Sequence, residues 1–145
     1  MEGVVYRIKA PPLSAPRFDY VVVSDRFDPC KPLDLVTISN FHRAKSSLKK
    51  RTKKDLGVEF LVSGARKMSG EGVAKWLGDL SDAYSFCKSS GCQFIISSGA
   101  ESPLEMVSGK SFDAILTEVG IDSHGYWKDL DLWLRNVLSR KVTLK

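Results

Sequence analysis

The chain has 145 residues, 43% of them apolar and 27% charged, and a formal net charge of +5. Those values belong to a single folded domain over residues 1–145 with enough apolar mass for its own core, and they exclude a disordered or low-complexity chain. No apolar run approaches the ~20 residues needed to cross a bilayer, the opening residues lack the basic-then-apolar build of a secretory signal, and three cysteines, Cys30, Cys87 and Cys92, are expected as reduced thiols of a cytoplasmic protein rather than as a disulfide framework or a metal pair.

In chain order, Val4–Lys9 reads as a first strand that Pro11 and Pro12 end. Tyr20–Ser24 is β-branched and apolar throughout, as a strand buried on both faces should be. A loop with Pro29 and Pro32 leads to a third strand, Leu35–Ser39. Asn40 then caps a helix predicted to run to about Leu56, with Gly57 as its stop and Phe41, Ala44, Leu48, Thr52 and Leu56 as one narrow apolar stripe. Val58–Val62 is the next strand. Ser69 opens a long helix to about Ser89, whose face carries Val73, Trp76, Leu77, Leu80, Ala83, Tyr84 and Cys87 at spacings of three and four. Gly91 closes that helix and Cys92–Ser97 is a further strand. Ser102-Pro103 has the form of a helix start. A helix from about Ser111 uses Phe112, Ile115, Leu116 and Val119 before Gly120, and a last one, about Tyr126–Ser139, buries Trp127, Leu130, Leu134, Val137 and Leu138. Val142–Leu144 reads as a short edge strand. The alternation of strands and helices implies an α/β fold with a parallel sheet and crossover helices.

The charge is unevenly spread. Between Arg43 and Lys67 lie nine of the 22 basic residues (Arg43, Lys45, Lys49, Lys50, Arg51, Lys53, Lys54, Arg66 and Lys67) and two of the 17 acidic ones, so the rest of the chain is net negative. Residues 43–54 hold seven basic residues and no acid. Like charges four apart, such as Lys45/Lys49 and Lys49/Lys53, each cost a helix about 0.2–0.5 kcal/mol. A merely solvated face would intersperse glutamates, so the pattern points to a polyanion held through its phosphates. Aromatic residues are not interleaved with the cations, which fits recognition of folded RNA better than stacking of single strands.

The turn Ser97-Ser98-Gly99-Ala100 follows a buried strand where α/β proteins place ligand-contacting groups. Its small residues either expose N–H groups to an anion or merely permit a tight turn, and the residues leave both readings open. Ser63-Gly64-Ala65-Arg66-Lys67, after the preceding strand, has the same build with two cations attached, and in a parallel sheet both loops open on one rim. Catalytic signals are weak. His42 follows a strand end without a cluster at metal-ligand spacing and is expected to join the basic surface. His124 sits in a helix-cap segment, and Asp25, Asp34 and Glu59 look isolated. Neither catalytic nor metal-ligating residues are therefore assigned.

Phe94-Ile95-Ile96-Ser97-Ser98-Gly99-Ala100-Glu101-Ser102-Pro103-Leu104-Glu105-Met106, followed by Phe112-Asp113-Ala114-Ile115-Leu116 and Gly120-Ile121, closely resembles ribonuclease P protein component 3, the thirty-kilodalton subunit family of ribonuclease P. The match covers residues 93–121, about a fifth of the chain. Val107 and Gly109 stand where relatives often carry a basic residue and a proline, and Lys110 keeps a positive charge nearby. The resemblance implies a TIM-barrel-like fold, here reduced or incomplete, since the chain is shorter than the family on its N-terminal side. It implies a non-catalytic subunit that stabilises a catalytic RNA using magnesium to remove the 5′ leader from precursor tRNA, together with protein component 2 in a heterotetramer and other protein subunits. On that reading the nine cations contact phosphates, Ser97, Ser98 and Lys110 share their rim, and Trp127 and Trp133 are candidate partner contacts, Trp133 because it lies off the main stripe of its helix. Two alternatives are a metal-dependent phosphoesterase of TIM-like descent, with His42 and Asp25 or Asp34 as a remnant site, and a scaffold whose basic helix binds an acidic protein.

Overall fold

The structure is a computed structural model and describes residues 4–14, 16–26, 32–51 and 53–143. Pro29, Cys30, Thr52 and Leu144 lie outside the described residues, as does the Arg51 side chain. Five strands, β1 (Val5–Ile8), β2 (Asp19–Ser24), β3 (Leu35–Ile38), β4 (Gly57–Leu61) and β5 (Gln93–Ser97), pair in that order, every pair parallel. The helices are α1 (Phe41–Arg51), α2 (Gly70–Ser90), α3 (Gly109–Glu118) and α4 (Ser123–Thr143). The α/β parallel architecture read from the sequence is therefore present. Among the described residues the sheet stays open, with β1 and β5 at its edges, and no helix is long and apolar enough to cross a membrane.

Alternating side chains give the sheet two apolar faces. On one, Val36, Ile38, Val58, Phe60, Phe94 and Ile96 pack with Phe41 and Leu48 of α1 and with Leu80, Ala83 and Cys87 of α2. On the other, Val21, Leu35 and Ile95 pack with Trp133 and Val137 of α4. The last helix serves both. Near its start the Tyr126 hydroxyl accepts from Ile96 N at 3.0 Å, and toward its end Lys141 Nζ donates to Tyr20 O at 2.9 Å and pairs with Asp34. It thus wraps from the β5 edge across the second face to β2. Trp133 lies directly over Gly57, where an added Cβ would sit 2.8 Å from the indole and 2.8 Å from Leu35. A strand residue is normally stiffened by a side chain, and here its omission makes room for the ring.

Four expectations are corrected. Gly57 is the first residue of β4 and not the stop of α1, because the chain turns earlier, at Asp55, whose φ is +73° and whose carbonyl accepts from Trp133 Nε1 at 2.7 Å. Trp133, placed at a partner surface from its position on the helix, is 7% exposed and belongs to the core. Ser102-Pro103 opens a single 3-10 turn, Pro103–Glu105, and not a helix. Val142 and Thr143 continue α4 and form no edge strand. Gly91, by contrast, closes α2 as read, with φ +76°.

Burial fixes the alkaline limit of this core. Desolvation, with a smaller contribution from Cys92, pushes the Cys87 thiol up from 9.0 to about 12. Tyr126 is pushed up from 10.0 to about 12, mainly by burial. Burial also raises Cys92. The folded state holds the Cys87 and Tyr126 protons more tightly than the unfolded chain, so their contribution is complete below pH ~9 for the thiol and ~10 for the phenol and is lost as pH rises toward about 12, by up to about 1.4 kcal/mol per pH unit for each of the two. Urea midpoints should therefore be flat near neutrality and fall above pH ~9, and Cys87→Ala should reduce the slope. An unchanged slope in that variant would contradict the assignment.

Candidate nucleic-acid interface

The basic helix forms because Asn40 caps it, accepting from Arg43 N at 3.0 Å, while Phe41 and Leu48, 2% and 0% exposed, anchor one side against the sheet. Ala44 is half-buried on the same side, and everything else described on the helix is exposed. Arg43, Lys45, Lys49 and Lys50 stand on the open surface, and Lys53 and Lys54 continue it in the turn beyond. Among the described residues no carboxylate lies within ion-pair distance of any of these six. Lys45 Nζ hangs 6.0 Å from the centre of the Phe41 ring.

The ridge does not sit wholly on the strand-end rim. α1 starts where β3 ends and runs back along the sheet, so its 11 residues carry the charge ~16 Å from the C-terminal rim to the opposite end. Lys54 there packs near Gly91, just before β5. The cations form a stripe along one flank, with Arg43 at its rim end.

Loops do meet on the rim. Ser63 N donates to Ser98 O at 3.1 Å, and the Arg66 guanidinium donates to the carbonyl of Glu105. Gly99, with φ +62°, brings its backbone so close that a Cβ there would lie 3.0 Å from Ser63 Cβ and 3.2 Å from Leu61 Cβ. The Ser98 hydroxyl accepts from Ala100 N at 3.2 Å, and Ser97 donates inward to Glu59. The small residues of this turn thus serve loop-to-loop packing, and Ser97 faces the interior rather than the rim. Arg66, Lys67 and Lys110 are exposed. Glu105 is occupied by Glu101 N at 2.7 Å and forms no pair with Lys110. Trp127 is 36% exposed and donates to Asp113 at 2.6 Å.

Beside the ridge, a groove of about 720 Å³ lies between the ends of β3 and β4 and the two helices that follow them, with Asp25, Asn40, Arg43, Ser47, Ser63 and Asp79 among its polar lining. Asp34 is at the other end of β3, paired with Lys141 and accepting from Val22 N at 2.7 Å. It cannot join His42 in one site.

Two groupings were not legible in the chain. Glu59, 1% exposed, is far from isolated: Arg7 donates to it through both terminal guanidinium nitrogens (Nη1 at 2.7 Å), Thr37 Oγ1 donates at 2.7 Å, and Ser97 donates as well. His42, expected on the basic surface, instead binds Asp79 through Nε2 at 2.8 Å, with Asp82 3.8 Å away. No family model, curated protein or solved structure matches this chain.

Proposed function

We propose that the chain is a non-catalytic, cytoplasmic protein subunit of ribonuclease P that binds and stabilises the catalytic RNA, which itself hydrolyses the precursor tRNA 5′ leader with magnesium. The observation that carries the reading is the flank of α1: six exposed cations from Arg43 to Lys54 with no carboxylate partner among the described residues. Such a stripe displaces counterions from a phosphate backbone without reading sequence. An isolated surface helix would lose stability from its like charges and gain nothing.

Three further features support it. The segment that resembles protein component 3 begins on β5, passes through the turn at the rim and continues into α3. Strands in sequential order, all parallel, are what an arc of a TIM-like barrel would have, here incomplete. The Arg7–Glu59 pair also spans two intervening strands, ~14 Å in a flat sheet, so this face is curled inward as a barrel wall would be. The remnant-enzyme reading loses Asp34, which stands at the wrong end of its strand.

The partners of this reading are ribonuclease P RNA, precursor tRNA and protein component 2. Its test is omission from a reconstituted particle. Cleavage of precursor tRNA should fall when this chain is left out, and the isolated polypeptide should not cleave. Cleavage by the polypeptide alone, or an unaffected particle, would overturn it.

A further inference from the structure

The head of the basic helix carries a convergence that its charge pattern does not explain. His42, the second residue of α1, points Nε2 at Asp79 on α2, 2.8 Å away, and at Asp82, one turn further along α2, 3.8 Å away. One ligand atom from each of the three lies within 4.8 Å of the others. A single N–H satisfies one carboxylate. The second, at 3.8 Å, is beyond hydrogen-bonding reach and adds its charge to a face that already holds an aspartate three residues earlier, an arrangement that costs a helix stability. No Lys or Arg among the described residues pairs with either aspartate, although α1 is crowded with cations. An ion pair alone would need His42 and Asp79. The third group is what an ion with more than one coordination position would use.

We infer that His42, Asp79 and Asp82 form a binding site for a divalent transition-metal ion of the zinc class, clamping the head of α1 to α2. The donor set chooses the ion. An imidazole nitrogen with two carboxylate oxygens suits zinc, whereas magnesium prefers oxygen donors and retains its waters. Zinc takes such ligands at 2.0–2.2 Å, which puts tetrahedral neighbours about 3.4 Å apart. Asp79 and Asp82 are within a rotamer adjustment of that spacing, and Asp82, 62% exposed at its side chain, is free to make it. Three protein ligands leave a fourth position for water or a ligand atom. It would lie at the lip of the groove, which Asp79 lines. The inference is independent of RNA binding.

Titration calorimetry of the full chain, stripped with chelator and then titrated with zinc chloride, tests it. One ion should bind per chain, with thermal stabilisation in excess zinc, and an equal concentration of magnesium should neither bind nor compete. His42→Ala and Asp82→Asn should each weaken zinc binding at least tenfold and abolish the stabilisation, while His124→Ala changes neither. Both His42 and Asp82 are exposed, so the variants should fold, and circular dichroism checks that directly. Failure of the wild-type chain to take up zinc would overturn the assignment, as would uptake that survives His42→Ala and depends on the cysteines instead.

Discussion

Replacing Arg7 by methionine should destabilise the protein by about 3 kcal/mol, one of the larger costs a single substitution here can have. The reason lies in the other partner. Glu59 is buried among β-strands with a side chain 2% exposed, whereas the Arg7 side chain is 46% exposed and could return to water at little cost. Removing the arginine leaves the carboxylate in the interior with only the Thr37 and Ser97 hydroxyls as donors. The pair itself adds little net stability, because desolvation offsets its attraction, but stranding one member is expensive. Neutralising the stranded group should therefore help: Arg7→Met/Glu59→Gln should be more stable than Arg7→Met by about 1 kcal/mol or more. Urea denaturation of the four proteins closes the cycle. If Arg7→Met lay within about 0.5 kcal/mol of the parent, the range of ordinary surface changes, the pair would not be what ties β1 to the concave face.

How much of this could be read from residues follows the range of the interactions. Strands and helices came through in order because their periodicity and caps are local: Asn40 and Gly91 act where the chain places them. The turn between α1 and β4 did not, because it is held by a tertiary contact, the Asp55 carbonyl accepting a hydrogen bond from an indole 78 residues away. Trp133 was misread for a related reason. A helix that packs on one face has one apolar stripe, but α4 uses Tyr126 against one core and Trp133 and Val137 against the other as it crosses the β5 edge. A residue off the first stripe therefore looks exposed while lying on the second. The Glu59 network was invisible because its partners are 52, 22 and 38 residues away, and the His42 cluster because its nearest carboxylate is 37 residues away. The basic stripe was legible since charge needs no folding partner to be counted. Its course was not, since only the direction of α1 shows that it leaves the rim.

The second large effect concerns that stripe. Lys49, Lys50, Lys53 and Lys54 occupy its distal half and are exposed. They touch no carboxylate among the described residues, so changing them to glutamine should leave folding intact and, by removing like-charge repulsion, even favour the helix slightly. RNA affinity should behave differently. Each phosphate contact releases about 0.7–0.9 of a counterion, so losing four contacts lowers the slope of log K against log salt by about 3. The corresponding loss of affinity should be on the order of a hundredfold or more in moderate salt, and it should be similar across RNA sequences, since phosphates carry no sequence information.

The measurement is the salt dependence of binding to ribonuclease P RNA, parent against quadruple variant, from low to physiological salt. A steep parent slope that flattens by about 3 in the variant is the expected result. Equal affinities and parallel slopes would mean that the cations of α1 do not hold RNA, and the proposed role would fall with them.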